Sequence, residues 1–473
     1  MILKGLAAGH KWNDRRRGKG AAAAPGRWMA GGADISIAGM LLRPGLAVAF
    51  LFKGGVALAA PPVQLVETRP VESGLGNPAL PEPQAVWLEM IRGARRTLDI
   101  EQFYLSTWPG EPMEKILDAI GQAAKRGVRV RLLLDARMHG TYPQPADSLG
   151  SVPGIEVRFI NLGPVAGGIQ HAKYFVVDGE EVFLGSQNFD WRSLKHIHEL
   201  GVRVRDAGIA QTIGEAFAWD WEAAGDQMAG RDSTGARVRA GAAPKLRFDG
   251  PREKGDERAV VRAPSMCIVQ APGDTVEVWP SYSPREFIPD STLWDRDAIV
   301  RLLDSARREV VVQLLTYSIG GHGERDSSLD LALRRAAGRG VRVRLVVSDW
   351  EPDNARIADL QSLARTPNVE ARLSTVPEWS GGYIPFARVE HCKYLVVDSL
   401  WTWVGTSNWE PGYFHGSRNV AVTLRNRALA LDARKVFEAS WRAPGNRVVK
   451  PGEKYEPKIH GMTPPAGKSA YGR

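Results

Sequence analysis

His171-Ala-Lys173-Tyr-Phe-Val-Val-Asp178, followed after six residues by Gly185-Ser-Gln-Asn188, is one copy of a pattern that this chain carries twice. The second copy reads His391-Cys-Lys393-Tyr-Leu-Val-Val-Asp398 and then, after six residues, Gly405-Thr-Ser-Asn408. Both obey H-x-K-x4-D-x6-G-[ST]-x-N without insertion or deletion. Each fixed letter has a background frequency of roughly 2–7%, so the pattern should arise by chance on the order of once in a million or more starts. Two copies in 473 residues therefore mark the centre of the molecule.

The sequence around each copy repeats as well. Upstream of the first, an amphipathic stretch from Val86 ends in Ala94-Arg95-Arg96 and leads into an apolar strand, Leu98 to Leu105. A helix is predicted around Met113–Lys125, then a strand in Arg126-Gly127-Val-Arg-Val-Arg-Leu-Leu-Leu-Asp135, with further strands at 155–160 and 171–178. Upstream of the second copy, a helix from Ala298 ends in Ala306-Arg307-Arg308, a strand follows over Val310–Leu315, and Arg339-Gly340-Val-Arg-Val-Arg-Leu-Val-Val repeats the earlier run at an offset of 213 residues. The two pattern histidines lie 220 residues apart. Comparable offsets across a helix–strand–helix–strand series imply an internal duplication into two similar α/β lobes. The expected organisation is a leader at 1–60, an extended lead-in at 61–84, a first lobe at 85–225, a linker at 226–274, a second lobe at 275–442 and a tail at 443–473.

The net charge of +9 looks like a nucleic-acid signature until it is divided. Residues 1–60 hold nine Lys/Arg against two acids, a net of +7, which leaves +2 for everything else. Global charge is thus no guide to the partner of the folded part, although a local basic groove remains open. Within the leader, Met40-Leu-Leu-Arg43 is a basic start, Leu46 to Phe52 is apolar, and Ala57-Leu-Ala59 resembles a small-residue cleavage site before Pro61-Pro62. Lys53 interrupts the apolar run, and a membrane span needs about 20 mostly apolar residues. A signal peptide and an extracytoplasmic destination are expected; the alternative is a disordered basic leader on a cytoplasmic enzyme. Only two cysteines are present, Cys267 and Cys392, which excludes a disulfide framework and a zinc site built on cysteine. Cys392, between His391 and Lys393, is expected to be a buried structural thiol.

Side chains alternate faces along a strand, so His171 and Lys173 point one way, as do His391 and Lys393. A hairpin-like return would bring Asn188 or Asn408 beside each pair. Two such patches face to face would place two imidazoles, two ammonium groups and two carboxamides around one cavity. That set suits displacement at a phosphodiester: a neutral imidazole attacks phosphorus, a protonated one donates to the leaving oxygen, and the Lys and Asn donors neutralise the transition state. The chemistry requires no metal, and the spacing reveals no metal-ligand cluster of Asp, Glu and His near either copy.

The duplicated H-x-K-x4-D pattern resembles the signature of the phospholipase D superfamily over roughly residues 85–225 and 275–442. The resemblance implies two α/β/α lobes related by pseudo-twofold symmetry, one active site between them within one chain, and a covalent phosphohistidine intermediate. By that likeness the catalytic set is His171, Lys173, Asn188, His391, Lys393 and Asn408, while Asp178 and Asp398 support local structure. The superfamily also tends to carry an acid downstream that orients the pattern histidine. Glu199, 28 residues after His171, fits that place, and the equivalent place after His391 holds Asn419. Glu199 is therefore expected behind His171 and Asn419 behind His391, with His171 as nucleophile and His391 as general acid. His196 and His198 are expected to be surface or loop residues.

Two stretches, Gly185-Ser-Gln-Asn-Phe-Asp-Trp-Arg-Ser-Leu with Glu199-Leu-Gly, and Gly405-Thr-Ser-Asn-Trp-Glu-Pro-Gly-Tyr-Phe414, are most similar to one branch of the superfamily. It holds the animal lysosomal phospholipase-D-like 5′ exonucleases of single-stranded nucleic acid and related poxvirus envelope proteins. Tyr104, Trp108, Trp350, Trp409, Tyr413 and Phe414 are candidate base-stacking residues. The rival is a phospholipase or transphosphatidylase acting on lipid headgroups, with an interfacial loop around 376–386.

Overall fold

The structure is a computed structural model and describes residues 61–228, 266–271, 273–288, 290–321, 324–352, 356–458, 460–465 and 467–471. The expected leader and most of the expected linker lie outside the described residues. Two sheets carry the fold. The first contains β1 (Val63–Thr68), β2 (Thr97–Gln102), β3 (Arg129–Asp135), β4 (Ile155–Ile160), β5 (Tyr174–Val177), β6 (Glu181–Gly185) and β7 (Glu199–Val204) in the order β1-β7-β6-β5-β2-β3-β4. The second contains β8 (Met266–Ala271), β9 (Asp274–Ser283), β10 (Glu309–Leu314), β11 (Arg342–Ser348), β12 (Val369–Ser374), β13 (Tyr394–Val397), β14 (Trp401–Gly405), β15 (Asn419–Arg425) and β16 (Arg447–Val448). Its order is β8-β9-β15-β14-β13-β10-β11-β12-β16, the first sheet's order with one added strand at each edge.

The register repeats with the order. Val177 lies opposite Leu98, and Val397 lies opposite Val310. Tyr174 pairs with Leu184 across the β5–β6 hairpin, and Tyr394 pairs with Val404 across β13–β14. In each lobe the three strands joined through helices run parallel and the hairpin strands antiparallel. The internal duplication is thus a duplicated α/β fold.

Helices cover the sheets where the sequence supplies an apolar stripe. In α1 (Pro83–Gly93) and α2 (Pro112–Lys125) a proline stands in the first turn, where a missing N–H leaves no bond unmade. Met113, Ile116, Ile120 and Ala123 of α2 are buried at helical spacing. The chain leaves α2, and likewise α5 (Ser328–Gly338), through Gly127 and Gly340 at φ +92° and +86°, a left-handed turn that favours glycine. Two longer helices follow β7 and β15, α3 (Ala207–Met228) and α6 (Arg427–Trp441). Each packs on its own sheet and reaches a strand of the other, α3 to β9 and α6 to β1. One apolar cluster accordingly runs through both lobes, from Tyr174, Leu184 and Phe217 to Trp294, Tyr394 and Phe437. Among the described residues no helix is long and apolar enough to cross a membrane.

Candidate active site

The pattern histidines stand just ahead of their strands rather than within them: β5 begins at Tyr174 and β13 at Tyr394. The pattern aspartates stand at the far ends, as first residues after those strands. Asp178 has φ +57° and its carboxylate accepts from the N–H groups of Arg95, Arg96 and Thr97 at 2.9, 2.7 and 2.8 Å. Asp398, at φ +54°, accepts from Arg307, Arg308 and Glu309 at 3.0, 2.8 and 3.0 Å. Each aspartate thereby ties the end of a helix to the start of the neighbouring strand. Burial opposes ionisation of Asp178, but its backbone donors outweigh that and hold it below the usual carboxyl range.

Glycine in the pattern has a steric cause. A Cβ on Gly185 would lie 2.4 Å from the Cα of Gly201, its cross-strand partner. The close approach of β6 and β7 sets the loop that carries Ser186 to Asn188.

The two copies meet through crossed backbone bridges. Gln170, just before the first copy, bridges in parallel to Arg418; His198 bridges in parallel to Glu390, just before the second. The N–H of His171 donates to the carbonyl of Arg418 and that of His391 to the carbonyl of His198, both at 2.9 Å. The residue following each bridge therefore faces the histidine of the opposite copy. His171 Nδ1 lies 3.0 Å from Asn419 Oδ1, and His391 Nδ1 lies 2.7 Å from Glu199 Oε2.

This corrects the expected pairing. Glu199 stands behind His391, not His171, and Asn419 stands behind His171, not His391. Counting residues within one copy assigns the partner to the same lobe, whereas β7 and β15 each begin at the seam and present their first side chain to the other lobe. His196 and His198 do lie in the loop ahead of β7, but both are fully buried rather than on the surface.

The surroundings fix the protons. Asn419 Nδ2 donates to the carbonyl of Tyr413 at 2.8 Å, so its Oδ1 is turned to His171. Thr406 also donates to that oxygen, at 2.9 Å. His171 Nδ1 must then carry its hydrogen, leaving Nε2 with a free lone pair. Burial, reinforced by the ammonium groups of Lys173 and Lys393, holds His171 well below the usual imidazole range.

His391 and Glu199 behave as one titrating unit. Burial pushes the Glu199 carboxyl up to about 8, against the pull of Lys393. Burial and the two lysines oppose a charge confined to the His391 ring. Below about pH 8 the pair holds two protons. Whether the shared one sits on Oε2 or on Nδ1, the 2.7 Å contact leaves Nε2 of His391 as an N–H.

Lys173 and Lys393 are fully buried, and each donates to the carbonyl of its own pattern histidine, at 2.7 and 2.8 Å. Burial drives Lys173 well below the usual amine range, aided by Lys393, and brings Lys393 down to about 8. Two buried lysines beside a single acid, Glu199, make a site short of negative charge. Asn188 and Asn408 are buried, and neither amide oxygen has a partner among the described residues. Tyr413 and Phe103 flank His171, with ring centroids 4.8 and 5.2 Å from the imidazole. Two buried neutral amides, two ammonium donors, one free imidazole lone pair and one imidazole N–H are what an in-line displacement at a phosphodiester uses.

The chain matches the family described as "Cardiolipin synthase, PLD-like domain" over residues 87–221 and 299–441, more than half its length. This chain belongs to the phospholipase D-like family. Among its relatives are Phospholipase D Z of Dictyostelium discoideum, 27% identical over 402 residues covering 81% of this chain and 89% of that protein, and the human protein named 5'-3' exonuclease PLD3, 29% identical over 415 residues covering 81% and 80%. The fold is similar to that of phosphatidylserine synthase from Haemophilus influenzae Rd KW20, with a TM-score of 0.53 at 14% identity, covering 78% of this chain and 85% of that one. The duplicated α/β architecture is thus the phospholipase D fold, and the protein is an enzyme of that superfamily, a phosphodiesterase by class.

Other expected residues sort by burial. Trp409 and Phe414 are core side chains, at 1% and 2% exposure, which removes them as stacking surfaces. Tyr104 stacks on Tyr142 at 5.2 Å, under Arg192, and Trp108 is exposed beside Trp191 and Tyr471. Trp350 stacks on His460. Sequence spacing also overlooked one cluster: His198, Glu390 and Cys392 bring metal-capable atoms within 4.8 Å of one another. Both ring nitrogens of His198 already face carboxylates, Glu390 at 2.7 Å and Glu67 at 2.8 Å. That donor set fits a proton-bearing ring and leaves no lone pair for a metal.

Proposed function

We propose that this enzyme hydrolyses the ends of single-stranded nucleic acid through a phosphohistidine on His171. The observation that carries the mechanism is the unequal partnering of the two histidines, an amide oxygen at His171 Nδ1 and a carboxyl at His391 Nδ1. His171 Nε2 attacks phosphorus while His391 Nε2–H delivers its proton to the leaving oxygen. Lys173, Lys393, Asn188 and Asn408 neutralise the equatorial oxygens. His391, now lacking that proton, takes one from water as the water attacks the phosphohistidine, which restores both residues. The division of roles is the expected one, on a different basis. The amide behind His171 fixes a neutral tautomer, and the carboxyl behind His391 retains a proton.

Half-exposed aromatic rings support nucleic acid over lipid. Tyr104 with Tyr142, and Trp108 with Trp379 and Tyr471, offer faces for bases with Lys195 interleaved. The loop around 376–386 does not offer an apolar surface to a membrane. Its Val376, Tyr383 and Ile384 are buried, and the tail straps it through Tyr383 N–H to Ser469, Tyr383 Oη to Gly461 and Phe386 N–H to His460. The relative named as an exonuclease points the same way, whereas the relatives named phospholipase D point to lipid. An extracytoplasmic location is part of the same proposal and rests on the leader sequence alone. The test is to incubate the protein, with EDTA present, with a 5′-labelled single-stranded oligonucleotide and separately with phosphatidylcholine vesicles. Shortening of the oligonucleotide that is abolished in His171→Ala is expected; choline release without shortening would overturn the substrate assignment.

A further inference from the structure

The residues before Glu199 and Asn419 occupy equivalent places and are anchored by different chemistry. Arg418 and His198 each bridge to the segment ahead of the opposite copy, and their carbonyls receive the N–H of His171 and His391. Both side chains turn into the protein beneath the site. Arg418 is held by Asp220 at 2.7 and 2.8 Å and by the carbonyls of Ser283 and Phe287. His198 is held by Glu390 Oε2 at its Nδ1 and by Glu67 Oε1 at its Nε2, at 2.7 and 2.8 Å. All five of these ionisable side chains are at most 2% exposed.

The equivalence extends to the neighbours. Tyr174 donates to Glu101 and Tyr394 to Gln313 in matching places. Gln313 and Ser440 approach His198 at 3.4 and 3.5 Å, and Gln313 also donates to Ser440. A cationic ring, with both nitrogens donating, satisfies two buried glutamates at one imidazole. Burial opposes that charge, but the two carboxylates outweigh it and raise His198 to about 10. Among the described residues, the titratable groups placed against the ring are Glu67 from β1 and, from the segment entering the second copy, Glu390 and Cys392, with Gln313 and Ser440 neutral.

The connection to chemistry is geometric. Glu67 lies on β1 in the first lobe, and Thr68 beside it pairs with Glu199. Glu390 immediately precedes His391. His198, itself the residue before the general acid's carboxyl partner, thus ties the residue before the general acid and the strand that pairs with Glu199 to one ring.

We propose that His198, clamped between Glu67 and Glu390, is a positioning residue that holds Glu199 of the first lobe in register with His391 of the second. It is the titratable counterpart of Arg418, and it acts on proton delivery rather than on phosphate binding. This rests on the proposed role of His391 as general acid, though not on the nucleic-acid assignment.

The test compares two leaving groups. Bis(p-nitrophenyl) phosphate expels p-nitrophenolate, which needs no proton. A single-stranded oligonucleotide, or phosphatidylcholine where the wild type cuts only lipid, expels an alkoxide that does. In His198→Gln, kcat for the alkoxide substrate should fall on the order of 10- to 100-fold, with KM within about 2-fold and far less loss on the p-nitrophenyl diester. His198→Lys, which restores a buried cation, should recover much of the lost kcat. Equal loss on both substrates, no loss on either, or no recovery with Lys would overturn the proposal. Should His198→Gln fail to fold, ¹⁵N spectra of the wild-type histidines decide: His198 protonated on both nitrogens at pH 7.5 is expected, and a neutral ring there would contradict it. A wild type that cuts neither alkoxide substrate would sink the functional reading, while the spectra would still judge His198.

Discussion

Glu199 and Asn419 differ by one functional group, and that difference gives the two histidines opposite duties. The amide can accept one hydrogen bond from His171 but cannot hold a proton, so the ring stays neutral among two lysines. The carboxyl behind His391 shares a second proton until about pH 8. With an alkoxide leaving group, kcat should therefore decline as the pH rises through about 8, because Nε2 of His391 loses its N–H. In Glu199→Gln the pair cannot store that proton. Its kcat should drop about 10²- to 10⁴-fold and lose the alkaline limb, with a much smaller loss on bis(p-nitrophenyl) phosphate. A pH–rate profile unchanged in shape would contradict the pairing. The letters His, Lys and Asn were legible in the sequence because their spacing repeats. Which acid meets which histidine was not, because the contact spans 192 residues and arises only when the two strand starts cross at the seam.

At the scale of the element, helix and strand identities followed from local signals: proline in first helical turns, glycine at Gly127 and Gly340, apolar runs for strands. The ends of elements were less legible. His171 and Lys173 read as strand residues because the alternation begins there, yet hydrogen bonding to neighbouring strands starts at Tyr174. The N–H of His171 is spent instead on the bridge to the other lobe. The aspartate that closes each copy belongs to this scale. Asp178→Ala removes the acceptor of three N–H groups and a residue suited to positive φ, which should cost about 2–3 kcal/mol. Asp178→Asn should cost less, since it tolerates that φ and keeps one acceptor. Because the folded-state carboxyl lies below its ordinary value, the contribution is present above the unfolded carboxyl range and fades as the pH falls through the lowered one. Denaturant midpoints of both variants at neutral pH check this, and an unchanged midpoint for the alanine variant would contradict it.

Across the whole molecule, the duplication was legible as two lobes but not as two lobes that share an apolar cluster. Apolar side chains from both sheets form one cluster, and α3 and α6 each reach into the partner lobe. The buried Arg418–Asp220 pair, 198 residues apart in sequence, spans the same seam. Removing the arginine leaves a buried carboxylate unpaired, so Arg418→Ala should destabilise by about 3–5 kcal/mol. Unfolding should remain a single transition rather than splitting into two, as calorimetry would show. One site built from both lobes is the central claim, and the phosphohistidine reports it most directly. His391→Ala removes the proton donor in one lobe while leaving the nucleophile in the other. Incubated with bis(p-nitrophenyl) phosphate, quenched and digested, that variant should carry p-nitrophenyl phosphate on the peptide containing His171. The adduct on any other residue in wild type or variant, or none in a variant that still releases p-nitrophenolate, would contradict the assignment.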